Sequence, residues 1–267
     1  MVTPVALSIA GSDPSGGAGL QADLKTFHQM GVYGEAVITL VTVQNTRGLH
    51  RVEVLAAELV AEQLRAVISD ISPKAAKTGA LGSRAVMEQI AGMAASFAFP
   101  LVVDPVMTSK NGGPLLDQSA RAAFAEKLLP RAFLLTPNLD EATVLTGITV
   151  DDPESMAEAA RRLIEMGAAN VLVKGGHLEG DAIDVLVTGA GERHQYRAAR
   201  IVTPHTHGTG CTYSAAITAG LAKGLTLTEA IRIAKAFVTA AIRTNPGLGS
   251  GRGPLNHFAP LNQFPGE

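Results

Sequence analysis

The strongest constraint on this chain is an alternation. Short runs rich in Val, Ile and Leu at 5–10, 35–43, 74–79, 100–104, 132–135 and 170–174 alternate with longer segments of helical period at 19–30, 57–70, 83–95, 118–129, 138–146 and 153–167. Apolar runs of that length suit strands buried on both faces, and the amphipathic segments between them suit crossover helices. The pattern predicts an α/β fold with a mostly parallel sheet covered by helices on both sides. Residues 182–198 predict a hairpin turning at Gly189-Ala190-Gly191, and helices near 211–223 and 227–243 close the fold. The tail "NPGLGSGRGPLNHF" carries too much Gly and Pro for a regular element. With no linker, repeat or low-complexity tract, one domain over 1–267 is expected.

Composition narrows the function. The formal net charge of −2 offers no electrostatic footprint for nucleic acid or an anionic membrane. A single cysteine, Cys211, cannot form an internal disulfide, which points to a reducing compartment and a cytoplasmic protein. The start "MVTPVALSIAGSD" lacks the basic and long apolar regions of a signal peptide, and no apolar run is long enough to span a bilayer.

Open parallel sheets bind ligands beyond the carboxyl ends of their strands. The loop "GSDPSGGAG", residues 11–19, follows the first predicted strand and precedes a helix. It fails the nucleoside-triphosphate loop pattern, because Gly17 and Ala18 stand where Lys and Ser/Thr are needed. It also fails the dinucleotide pattern, since the second strand ends in "VTVQNT" with no acid for a ribose. The loop therefore approaches something other than ATP or NAD.

A second glycine segment, "HGTGCTYSAA", is the sharper signal. Gly208-Thr209-Gly210 leads into a helix starting near Cys211, and free N–H groups at such a start attract an anion. The same field is expected to lower the Cys211 thiol pKa from about 8.5 toward neutrality, so that a thiolate could serve as a base. The bland reading is a tight turn followed by a small buried residue. Asp104, at a strand end before Pro105, is placed to hold Mg²⁺ through water. Asn138 and Glu141 in "LLTPNLDEATVLTG" suit the same region, and equally suit a plain capping box. Lys174, before two glycines, could meet phosphate oxygens or simply be solvated. Asp23 lies on the first helix, and Gln44 beyond the second strand could read a ring nitrogen and its amino neighbour, or merely cap a loop. His205 and His207 lack a third ligand in a recognisable spacing, which disfavours a transition metal. No Ser sits in a G-x-S-x-G elbow.

Together "ALSIAGSDPSGGAGLQADLKTFHQMGVYG", "VQNTRG", "DPVM", "LLTPNLDEATVLTG", "VLVKGGH" and "THGTGCTYSAA" resemble the bacterial hydroxymethylpyrimidine/phosphomethylpyrimidine kinases of thiamine biosynthesis, in order from about residue 4 to 258. The resemblance implies a ribokinase-like three-layer α/β/α sandwich, a dimer, and MgATP-dependent phosphorylation of a hydroxymethyl group and then of the resulting monophosphate. It implies that Gly11, Asp23, Gln44 and Val106 form a pyrimidine pocket, and that Gly208, Thr209 and Gly210 form an anion hole. Cys211 is then the base, Lys174 meets the ATP phosphates, and Asp104, Asn138 and Glu141 line the Mg²⁺–phosphate region.

The chain departs from the family pattern at Thr78-Gly79-Ala80, at Ser109 in the flap-like "MTSKNGGPLL", and at Ser250 in the tail. These changes touch substrate preference more than phosphate chemistry. The alternatives are a pyridoxal or pyridoxine kinase of the same fold, and a silent vitamin-binding regulator. The second is disfavoured by the intact phosphate residues, and a nicotinamide-dependent dehydrogenase by the failed fingerprint.

Overall fold

The computed structural model describes residues 3–107, 118–176 and 180–261. Nine strands form one sheet: β1 (Val5–Ser12), β2 (Tyr33–Asn45), β3 (Gly48–Val54), β4 (Ala75–Thr78), β5 (Leu101–Val103), β6 (Leu134–Leu135), β7 (Asn170–Gly175), β8 (Ala182–Thr188) and β9 (Arg193–Ala198). Their order is β3-β2-β1-β4-β5-β6-β7-β8-β9. The pairs from β2 through β7 are parallel, and antiparallel β3 and the β8–β9 hairpin flank them.

Period-two alternation sends neighbouring residues to opposite faces, and each face has its own core. Leu7, Ile9, Val103, Val171 and Val173 pack under α2 (Ala57–Asp70), α3 (Arg84–Ala94), α5 (Leu139–Thr146) and α6 (Pro153–Glu165). Ala6, Val102, Leu172 and Leu186 pack under α1 (Gly19–Gln29), α7 (Thr209–Ala222) and α8 (Leu227–Arg243). The result is a three-layer α/β/α sandwich of ribokinase-like type. α7 is buried nearly all round and built largely from Ala, Gly, Ser and Thr. Small side chains let it lie close to its neighbours: a Cβ at Gly220 would come within 2.8 Å of Ala230.

The alternation places every predicted strand, with ends shifted by a few residues. Two differences have physical causes. β3 escapes prediction because "GLHRVEV" is an edge strand with exposed, mixed residues, and its pairing with β2 defines it. The predicted helix at 118–129 is α4 (Gln118–Ala123), a π-helical turn (Phe124–Leu128) and a 3₁₀ turn (Leu129–Arg131); Pro130 in that last turn lacks the N–H a continuing helix needs.

β2 lies to one side of β1 and β4 to the other, so the strand order reverses between β1 and β4. Crevices beyond the carboxyl ends at such a reversal are where open α/β sheets bind ligands.

Candidate active site

A cavity of about 620 Å³ opens at that reversal. Its walls include Gly11, Gln44, Asp104, Val106, Asn138, Glu141, Lys174, Gly208, Thr209, Gly210 and Cys211. The structure thus brings together residues that the sequence spreads over two hundred positions.

The 11–19 loop is wound around one carboxylate. Asp13 Oδ1 accepts from the Ser15 amide at 2.8 Å, and Oδ2 accepts from Ser15 Oγ and the Ala18 amide, each at 2.9 Å. Oδ2 also lies 2.8 Å from His207 Nε2. Burial works to raise the Asp13 pKa, but the His207 and Ser15 bonds outweigh it and hold the carboxyl below its ordinary value. Amides that a phosphate would need are therefore already engaged. His207 is a strap between the two glycine segments. Among the described residues no group of three His, Cys, Asp or Glu side chains is placed to hold a metal.

Across the cavity, α7 starts from Gly208, whose φ of 81° lies in the left-handed region. A Cβ there would overlap the Gly17 carbonyl oxygen. Gly208 has no side chain to cap the helix, and the first intrahelical bond runs from the Thr212 amide to the Gly208 carbonyl. The Gly210 and Cys211 amides thus precede the helix's own acceptors and carry its positive end. Gly210 lies against two charged groups: a Cβ there would stand at ordinary contact distance, 3.5 Å, from both Asp104 Oδ2 and Lys174 Nζ.

Those two groups form an ion pair of 2.8 Å with little exposure. Burial opposes the Lys174 charge, yet Asp104 and Glu141 together raise its pKa above the ordinary value. Lys174 is therefore a fixed cation rather than a solvated strand end. Asn138 and Glu141 do form the capping box of α5, with both bonds at 2.8 Å, and they also line the cavity beside Lys174. The capping alternative weighed for them is the one the hydrogen bonds show.

Two expectations need correction. Asp23 does not belong to the described cavity wall; it is fully buried below it, accepting from Ser8 Oγ at 2.6 Å and Lys77 Nζ at 2.8 Å. Helix α1 turns this residue inward toward β1 and β4. Nor is the Cys211 thiol shifted toward neutrality. Burial pushes it up to about 11, with Asp23 and Asp104 adding to the rise and Lys77 and the Gly19 amide only partly offsetting it. Desolvation decides the outcome, against the lowering that a helix start alone would lead one to expect. Ser109 and the rest of 108–116 lie outside the described residues. Gly79 and Ala80 face the cavity while Thr78 lies beneath them, its hydroxyl buried without a partner.

Sequence reasoning missed Asp13, Lys77 and Arg252, and weighed His207 only as a metal ligand. Asp13 could have been found from its Ser and Gly neighbours, which favour local side-chain-to-amide bonds. Arg252 reaches the cavity rim because its amide is tied to the Thr46 carbonyl at 2.8 Å, a contact no local pattern announces.

The donor set for a divalent ion consists of Asp104, already engaged by Lys174, and Glu141. That suits Mg²⁺, which takes most of its oxygens from water and phosphate rather than from a protein cage.

Comparison with known proteins decides the family. The family model for phosphomethylpyrimidine kinase matches residues 13–256. The chain belongs to that family. The hydroxymethylpyrimidine/phosphomethylpyrimidine kinase of Rhizobium meliloti is 50% identical over 260 residues, covering 96% of this chain and 98% of that one. The thiamine biosynthesis bifunctional protein ThiED of Geobacter sulfurreducens is 49% identical over 254 residues, 94% of this chain. This family member spans 52% of that longer protein. Among solved structures, the ADP complex of Bacillus subtilis pyridoxal kinase superposes with a TM-score of 0.89 at 39% identity, covering 97% of this chain and 98% of that one.

Proposed function

We propose that this kinase transfers the γ-phosphoryl group of ATP to 4-amino-5-hydroxymethyl-2-methylpyrimidine, and then to the monophosphate so formed, in thiamine biosynthesis. The observation that carries the reading is the shared cavity: the start of α7, with Gly210 and Cys211, faces the same space as Gly11 and Gln44.

Phosphoryl transfer asks a protein chiefly for positioning and charge stabilisation. The first-turn amides of α7 and the Lys174 ammonium supply fixed positive charge where negative charge collects on the travelling group. Asp104 and Glu141 would hold Mg²⁺ through water, which would neutralise phosphate oxygens there. Gln44 offers one acceptor and two donors to an aminopyrimidine edge, with Gly11 and Val106 as apolar neighbours. Cys211 accepts the proton of the attacking hydroxyl. Because burial keeps the thiol protonated at rest, the thiolate is a minor form at neutral pH. On this reading kcat rises about tenfold per unit from pH 7 toward 10, a profile that steady-state assays measure directly.

The decisive variant is Cys211→Ala. Its kcat is expected to drop about 10²- to 10⁴-fold, while ATP binding by calorimetry persists because the anion hole is backbone. Near-normal turnover would remove the thiol from the mechanism. The likeness to a pyridoxal kinase keeps one other reading in play, and kcat/KM for the two alcohols separates them: the aminopyrimidine is expected to win. We further read the chain as one cytoplasmic domain that pairs with a second copy. The exposed Tyr33, Val41 and Val43 on β2 support such a pairing.

A further inference from the structure

Beneath the cavity floor lies an ion pair that the transfer chemistry leaves unused. Lys77 on β4 and Asp23 on α1 are both fully buried, 2.8 Å apart. Ser8 Oγ donates to the same carboxylate oxygen that Lys77 engages, and the other oxygen, Asp23 Oδ1, has no partner. Such a pair is a poor stabilising device, because taking two charges out of water commonly costs as much as their attraction returns. An apolar pair of similar volume would serve the core at least as well.

Its position suggests another purpose. Lys77 sits near the carboxyl end of β4, in register with Ser8 on β1. Two residues further on, Gly79 lines the cavity, and a Cβ there would lie 3.8 Å from Lys77 Nζ. The floor above the ammonium is bare glycine backbone. α1 packs against α7, and Asp23 sits one turn beyond Gly19, whose amide bonds the Cys211 sulfur. The Lys77 that Asp23 holds therefore lies on the sulfur's side of the fold, where it favours the thiolate while Asp23 and Asp104 oppose it. Lys174, from β7, also interacts with the sulfur. Burial acts against the Lys77 charge, but Asp23, Cys211 and Asp104 raise its pKa above the ordinary value, so it remains an ammonium.

We propose that Lys77, held in place by Asp23, is a positioning residue that sets a positive charge opposite the Cys211 sulfur while that sulfur carries the substrate's proton chemistry. The proposal rests on Cys211 as the base. It also gives Asp23 a role without direct contact with the pyrimidine.

The single cysteine makes the test clean, since iodoacetamide labelling reports Cys211 alone. In folded Lys77→Met, labelling at pH 9 is expected to slow about tenfold and its pH profile to move up by about one unit. The kcat should fall alongside while KM for ATP holds. The double variant Asp23→Asn/Lys77→Met leaves no lone buried charge and should shift in the same direction, and Lys77→Arg should restore part of the labelling rate. A purely structural role predicts the reverse, because a loosened β4 exposes the thiol and speeds labelling. Unchanged or faster labelling in both neutral variants, with native circular dichroism, overturns the proposal. Near-normal turnover in Cys211→Ala overturns the reading beneath it, and that result is seen independently of the labelling.

Discussion

At the scale of single residues, buried charge governs how this protein responds to pH. Glu35 on β2 is buried with Oε2 unpartnered, and burial, joined by the charge of Asp70, pushes its carboxyl up to about 7. A raised acid binds its proton more tightly in the folded chain than in the unfolded one. Stability therefore falls as pH climbs from about 4.5 to 7 and then levels off. Glu35→Gln is expected to be more stable than the parent above pH 7, with the difference vanishing below pH 4.5; urea melts across that range would show it. His257 works in the opposite sense. Burial and the nearby Lys25 push it down to about 4, so its contribution disappears as pH falls from 6.5 toward 4. The two dependences oppose each other in mildly acid solution, and only the variant comparison separates them.

At the scale of elements, α7 does two jobs at its two ends. Its first turn presents amides to the cavity, and this depends on Gly208 taking a left-handed conformation against Gly17. Gly208→Ala adds both a left-handed backbone cost of about 1–2 kcal/mol and an overlap with the Gly17 carbonyl. It is expected to lower kcat more than tenfold. Six residues past the Asp104 contact of Ser214, the same helix is simply packing: Gly220 meets Ala230 of α8. Gly220→Val is expected to cost about 1–3 kcal/mol by overpacking while leaving KM and kcat of the folded enzyme near those of the parent. Thermal melts and kinetics on the pair would show whether the two ends are separable as described. The capping box of α5 illustrates the reverse case, where one local device ends a strand-to-helix turn and also faces the cavity.

At the scale of the whole molecule, the cavity draws on β1, β2, β7, α7 and the residues that follow β4 and β5, so a ligand there ties together strands from both sides of the order reversal. A nucleotide that binds only the folded chain adds about 2.7 kcal/mol at a hundredfold excess over Kd. A non-hydrolysable ATP analogue with Mg²⁺ is expected to raise Tm by several degrees, and Lys174→Met to abolish most of that rise. An unchanged Tm in the parent would count against the cavity as the nucleotide site.

What the amino-acid order determined alone is the part of the protein ruled by local periodicity. Apolar runs of strand length between amphipathic helices admit little besides a covered parallel sheet, and loops at the strand ends then gather Asp104, Lys174 and Gly208–Gly210 into one crevice. The capping box at Asn138 was legible for the same reason, being set by residues three apart. The tertiary structure alone decided what depends on desolvation and long-range pairing. It placed Asp23 under the floor against Lys77, 54 positions away. It joined Asp13 to His207 across 194 positions and brought the edge strand β3 onto β2. It also set the Cys211 thiol high rather than low, because a helix-end field is readable from spacing, whereas the water removed from around a sulfur depends on everything packed against it.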